Sequence, residues 1–121
     1  MKVLRDANGF TLIEILIATV IITVASLGAA DLTIGIIRGN SYSQRLTTAT
    51  TLAQDRLEQI KRIGYQNAGT VVGTENYGDI LNYSGYKRVT SVDDPPMRIV
   101  TVKVYWNGAI EPVTLKTILT E

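Results

Sequence analysis

The chain has no cysteine and no histidine among its 121 residues. No disulfide, thiol nucleophile, imidazole base or zinc site of the usual ligands can therefore be built. Proline is nearly as scarce: there are three, and none precedes Pro95, so nothing of that kind interrupts the first three quarters of the sequence. A net charge of +1 leaves no strong field to draw nucleic acid or acidic substrates to the chain as a whole. No glycine-rich phosphate cradle and no G-x-S-x-G turn occurs. Glu75, Asp79, Asp93 and Asp94 are the acids that could gather for metal or acid-base work, but they fall in loop-like and turn-like sequence, where carboxylates commonly cap and solvate. No oxygen-ligand spacing resembles a calcium loop. The reading is of a chain with no catalytic residues, no metal and no cofactor, hence not an enzyme.

What the chain does have is residues 10–30, FTLIEILIATVIITVASLGAA, apolar or small throughout except for Glu14 and a few Thr and Ser. At about 1.5 Å per residue this run covers roughly 30 Å as a helix, the hydrocarbon thickness of a bilayer. It is too long for a secretory signal core, and an acid inside it argues against one, although residues 27–30 could be mistaken for a cleavage site. A central carboxylate costs about 2.5–3.5 kcal/mol on insertion scales, and less near an interface. Glu14 stands about one turn from the start of the run. It can oppose the helix dipole there, or it can serve a partner. Ahead of it, residues 1–9 form a polar segment with Lys2, Arg5 and Asp6 that ends in Gly9. Its weak positive charge favours the cytoplasmic side.

Gly9-Phe10-Thr11-Leu12-Ile13-Glu14 resembles the type IV prepilin signature, shared by pilins and the pseudopilins of type II secretion. The resemblance implies a leader, residues 1–9, removed by a membrane-embedded prepilin peptidase that cuts after Gly9 and methylates the new terminus at Phe10. It also implies that Glu14, the fifth residue of the processed chain, works in assembly together with Thr11, Leu12 and Ile13. The physics is compatible. Glycine gives a protease a flexible, unobstructed peptide. A freed α-amine is protonated at neutral pH, so it can meet the Glu14 carboxylate of an adjoining copy, and a copy out of register leaves both charges unpaired.

Beyond the apolar run the helical pattern continues. Leu46, Ala49, Ala53, Leu57 and Ile60 recur at steps of three and four, predicting one helix from Thr11 to near Arg62, with Gly64 as its stop. Gly28, Gly35 and Gly39 lie within it. They can let another helix approach closely or can provide a place to bend, and bending in the zone that adjusts on entering a filament is the preferred reading. Many members of the resembled family carry a proline shortly after the position of Gly28, where this chain has Asp31 and glycines. Residues 38–62 carry a local excess of basic charge with a single aromatic, Tyr42, among them, so nucleic acid is not expected as a partner.

Residues 64–86 read as a loop region, with short strands expected at 70–72 and 80–83. Strands are expected at 87–92 and 97–106, separated by a turn at Asp93-Asp94-Pro95-Pro96. Val100, Val102, Val104 and Trp106 share one face of the second. Asn107-Gly108 reads as a two-residue hairpin turn, which would set Val102 opposite Val113, Val100 opposite Leu115 and Glu111 opposite Val104. Pro112 points to an edge strand.

The predicted fold class is α+β: a long N-terminal helix, its first half transmembrane, packed by its second half against a small antiparallel sheet, as in a pilin fold. The expected divisions are 1–9 leader, 10–30 transmembrane half, 31–62 soluble half of the helix and 63–121 a loop-rich β domain. The expected role is a structural subunit of a type IV pilus-like filament. Residues 51–60 are similar to the corresponding segment of certain minor pilins and of a type II secretion minor pseudopilin, so a minor pilin is the choice and a minor pseudopilin the alternative. From another class, the chain could be a membrane-anchored β-rich binding module. The implied partners are other pilin or pseudopilin subunits, prepilin peptidase, an inner-membrane assembly platform and, before assembly, the lipid bilayer. The implied location is the inner membrane, single-pass with the C-terminal domain outside the cytoplasm, and then the filament.

Overall fold

The computed structural model describes residue 9 and residues 11–120. The chain divides into two compact units, Met1–Asn40 and Ser41–Glu121. Helix α1 spans Leu12–Asn67; Gly64 is the one residue in it with non-helical dihedrals, φ 80° and ψ 174°, a region in essence reserved for glycine. Gly64 thus interrupts the helix where the sequence placed its end. A further turn follows it and passes into a 3-10 helix at Ala68–Val71.

In the first unit, α1 is exposed throughout, and over residues 15–30 it is uncharged and mostly apolar on every side, with Asp31 and Arg38 following. A helix of this kind belongs in lipid or among other helices. An 18-residue window has a mean hydropathy of 2.3, and this helix is the one among the described residues long and apolar enough to cross a membrane. Its hydroxyls do not oppose that placement. Thr19, Thr23, Ser26 and Thr33 each donate to the carbonyl four residues back, at 2.7–2.8 Å, so none is left unsatisfied in an apolar medium.

The second unit joins the remainder of α1 to a four-stranded antiparallel sheet of order β1-β2-β3-β4, with β1 at Gly73–Glu75, β2 at Tyr86–Val92, β3 at Arg98–Trp106 and β4 at Val113–Leu119. Ala49, Leu52, Ala53, Leu57 and Ile60 form the buried stripe of the helix. They share one core cluster with Val100, Val102, Val104, Trp106 and Leu119. Each large aliphatic buried there contributes about 1.5–3 kcal/mol. Ala49 and Ala53, both fully buried, keep the helix close to the sheet. Leu46 of the predicted stripe is exposed, and Leu52, which that stripe left out and which immediately precedes Ala53, is buried. This is the α+β arrangement of a pilin fold.

Three local expectations need correction. Residues 70–72 are not a strand: the 3-10 turn covers most of them, with the Thr70 hydroxyl donating to the Asn67 carbonyl at 2.7 Å, and pairing begins at Gly73. Residues 80–83 form turns. Tyr83 donates its amide to the Ile80 carbonyl at 3.0 Å, and Asn82 adopts φ 66°, which no ladder accommodates. Finally, the β3–β4 connection is longer than two residues. Ala109 closes a turn onto the Trp106 carbonyl, yet β4 starts only at Val113, so Val104 faces Val113, Val102 faces Leu115, and Glu111 lies in the loop. The slip relative to expectation is two residues, an even number, and so the apolar faces stay matched. β4 is an edge strand, as Pro112 indicated.

Candidate functional site

The start of α1 holds most of the residues singled out in the sequence. Thr11 is the cap and Glu14 the third helical residue. The Thr11 amide donates to Glu14 Oε2 at 2.9 Å, and the Glu14 amide donates to Thr11 Oγ1 at 3.3 Å. This is a reciprocal capping box, encoded by T-x-x-E. Two amide donors that would otherwise lack partners are satisfied at the point where the chain enters its apolar stretch. The carboxylate also sits where the helix dipole favours negative charge. Glu14 thus serves its own helix end and is exposed.

Around it the surface is apolar. Leu12 and Ile13 are 83% and 61% exposed. A shallow groove beside Glu14 is lined by Ile15, Ala18, Thr19 and Ile22. Gly9 is exposed. Phe10 and residues 1–8, including Lys2, Arg5 and Asp6, lie outside the described residues. Gly28, Gly35 and Gly39 are helical, and a Cβ built at any of them meets nothing within 4 Å.

Sequence reasoning missed the principal polar contact of the second unit. Glu75, expected in a loop, is the last residue of β1 and faces inward. Arg88 grips it with Nε to Oε2 at 2.5 Å and Nη2 to Oε1 at 2.8 Å, while Arg56 of the helix reaches Oε2 from the other side. Arg88 also donates from Nη1 to the Leu52 carbonyl at 3.0 Å. The two guanidiniums, Arg88 foremost, hold the Glu75 carboxyl down at about 2 from an ordinary 4.5, against the opposing effect of burial. Strand parity was the signal available: Arg88 shares its face with Thr90 and Val92, the side that turns inward. The group is a fastening between helix and sheet, with no substrate-accessible nucleophile or base attached to it.

One further concavity, about 300 Å³, is lined by Arg45, Gly85, Tyr86, Trp106 and Asn107. It is at the lower limit for small-molecule sites, and the Arg45 Nη1 that borders it is spent on the Asn107 carbonyl at 3.0 Å. No group of three or more metal-ligating side chains occurs among the described residues.

Comparison with known proteins bears on the helix start. No curated protein and no solved structure matches the chain. Residues 4–30 match the family model described as the prokaryotic N-terminal methylation motif. The family behind that motif is structural rather than enzymatic, and the motif together with the apolar helix fits membrane anchoring followed by life in a filament. The matched segment contains Gly9, Phe10, Thr11 and Glu14, and with it the chain carries a type IV pilin-like prepilin signature.

Proposed function

We propose that this chain is a subunit of a type IV pilus-like filament, inserted in the inner membrane with its C-terminal domain outside the cytoplasm, cut after Gly9 and methylated at Phe10 by prepilin peptidase. A minor pilin is the favoured place for it, on the likeness of residues 51–60 to that class, and a type II secretion minor pseudopilin is the alternative. Its partners in this reading are other pilin or pseudopilin subunits, the assembly platform and, before assembly, the bilayer. The observation that carries the proposal is an all-round apolar, fully exposed helix opened by an exposed acid. Lipid satisfies the apolar surface of a single copy. The capping box and the helix dipole satisfy the acid in part, and a cation on a second helix would neutralise its charge within the apolar surroundings as well.

The experiment separates the cap from the charge. Glutamine at the third helical position still completes a capping box, so Glu14→Gln keeps the local fold and removes the negative charge. Mass spectrometry of the membrane-purified wild type should give a chain that begins at methylated Phe10. Glu14→Gln should resist membrane extraction as wild type does and enter filaments about tenfold less well, the factor a lost pairing of about 1.4 kcal/mol produces. A chain still beginning at Met1 in a peptidase-competent host, or normal incorporation of the glutamine variant, would refute the reading and favour a tethered binding module.

A further inference from the structure

Asp31 and Arg38 are both exposed on α1, and neither has an ion-pair partner among the described residues. Helix geometry explains why. A side chain reaches positions three and four residues away. For Asp31 these are Leu27, Gly28, Ile34 and Gly35, and for Arg38 they are Ile34, Gly35, Ser41 and Tyr42. Seven residues apart, the two charges share one side of the helix, drifting by only about 20°, but stand about 10.5 Å from one another along it. They cannot pair within one copy.

We infer that Asp31 of one copy pairs with Arg38 of a second, parallel copy displaced along the helix by seven residues, about 10.5 Å, so that the two charges set the axial register between neighbouring subunits. The inference rests on the filament reading above and concerns a contact that the processed terminus and Glu14 do not make.

Two independent features support that offset. The first is self-complementarity: acid and base belong to the same chain, so a copy supplies its own complement, and a stagger that brings neither charge level with an opposite one leaves both desolvated and unpaired. The second is the glycines. Gly28 and Gly35 are themselves seven residues apart, and the displacement that brings Asp31 level with Arg38 brings Gly28 of one copy level with Gly35 of the other. Among the described residues, nothing occupies the space a Cβ would take at either. Glycine facing glycine lets two helices approach closely, which a charge pair flanked by apolar side chains needs. One pair requires only two adjoining copies, whatever share of the filament the chain makes up.

The absence of cysteine permits a direct test. Two full-length copies with different tags are co-expressed in a host that assembles the filament, and thiols are oxidised in place. Gly28→Cys in one copy with Gly35→Cys in the other should give about tenfold more linked heterodimer than either same-position mixture. Like charges placed face to face repel, so adding Asp31→Arg to the Gly28→Cys copy should lower the yield at least about tenfold. Adding Arg38→Asp to the Gly35→Cys copy should then restore it to within about threefold. Equal linkage at all offsets, indifference to Asp31→Arg, or no recovery with Arg38→Asp overturns the register. If those results come with normal processing at Phe10 and Glu14-dependent assembly, the filament reading stands without it; an unprocessed chain overturns both.

Discussion

Replacing Glu75 by glutamine should destabilise the second unit by about 2 kcal/mol at neutral pH, and acid should erase the difference. A carboxyl drawn from 4.5 to about 2 by Arg88 and Arg56 is bound more tightly, when ionised, by about 3 kcal/mol at 1.36 kcal/mol per unit. The Glu75 side chain keeps 31% exposure, so solvent screening trims that figure to about 2 kcal/mol. Removing the charge also leaves two guanidiniums that are only 11% and 12% exposed without their counter-ion. The sign follows from the depressed folded value. The unfolded chain binds the proton first, so the stabilisation is complete above about pH 5 and is lost as the pH falls toward 2. Trp106, the single tryptophan and 4% exposed, reports unfolding of this unit alone. Urea titrations of the full chain in detergent, followed by its fluorescence, should show wild type losing stability between pH 5 and 2.5 while Glu75→Gln stays nearly flat there. A loss below about 0.5 kcal/mol at pH 7, or a gap that persists unchanged at pH 2.5, would refute the assignment of Glu75 as the ionised hub.

The same fluorescence probe tests two backbone and packing claims. Gly64→Ala should cost about 1–3 kcal/mol although there is open space for the methyl group, because φ 80° with ψ 174° is a glycine conformation; an unchanged urea midpoint would refute the strain. Ala53→Leu should cost about 1–3 kcal/mol by forcing a fully buried contact apart, and a stability gain would show a void between helix and sheet that the packing does not contain.

How much of this was legible depended on how local each signal is. The apolar run and the alternation of Val100, Val102, Val104 and Trp106 are each written in consecutive residues, and each appears in the fold at those positions; the T-x-x-E box is just as local, but Glu14 was read only as opposing the helix dipole or serving a partner. The β3–β4 register was read two residues short, because Asn107-Gly108 signals a turn but not the length of the loop containing it; the turn closes at Ala109, and Ile110, Glu111 and Pro112 extend the connection before pairing begins. Glu75 was unreadable for a different reason. A strand of three residues has no periodicity, and what fixes it is an arginine from the helix and another from β2, 19 and 13 residues away. Long-range charge pairing leaves no mark in sequence spacing.

The small residues of α1 show which parts of the helix find their partners inside the chain. Ala49 and Ala53 are fully buried because the sheet lies against them. Gly28, Gly35 and Gly39, in the same element, face open space. All three keep helical dihedrals, and among the described residues no atom stands within 4 Å of a Cβ built at any of them. Glycine costs about 1 kcal/mol relative to alanine at each such position. A bend on entering a filament and the close approach of another helix are both uses that would offset that cost. Large aliphatic side chains are exposed along the same segment, with Leu32 at 66% and Ile37 at 62%. Lipid would cover the aliphatic side chains equally well if the glycines were alanines; a second helix would not approach as closely. In the proposed filament the glycines would let neighbouring helices approach this half of α1 more closely than alanines would.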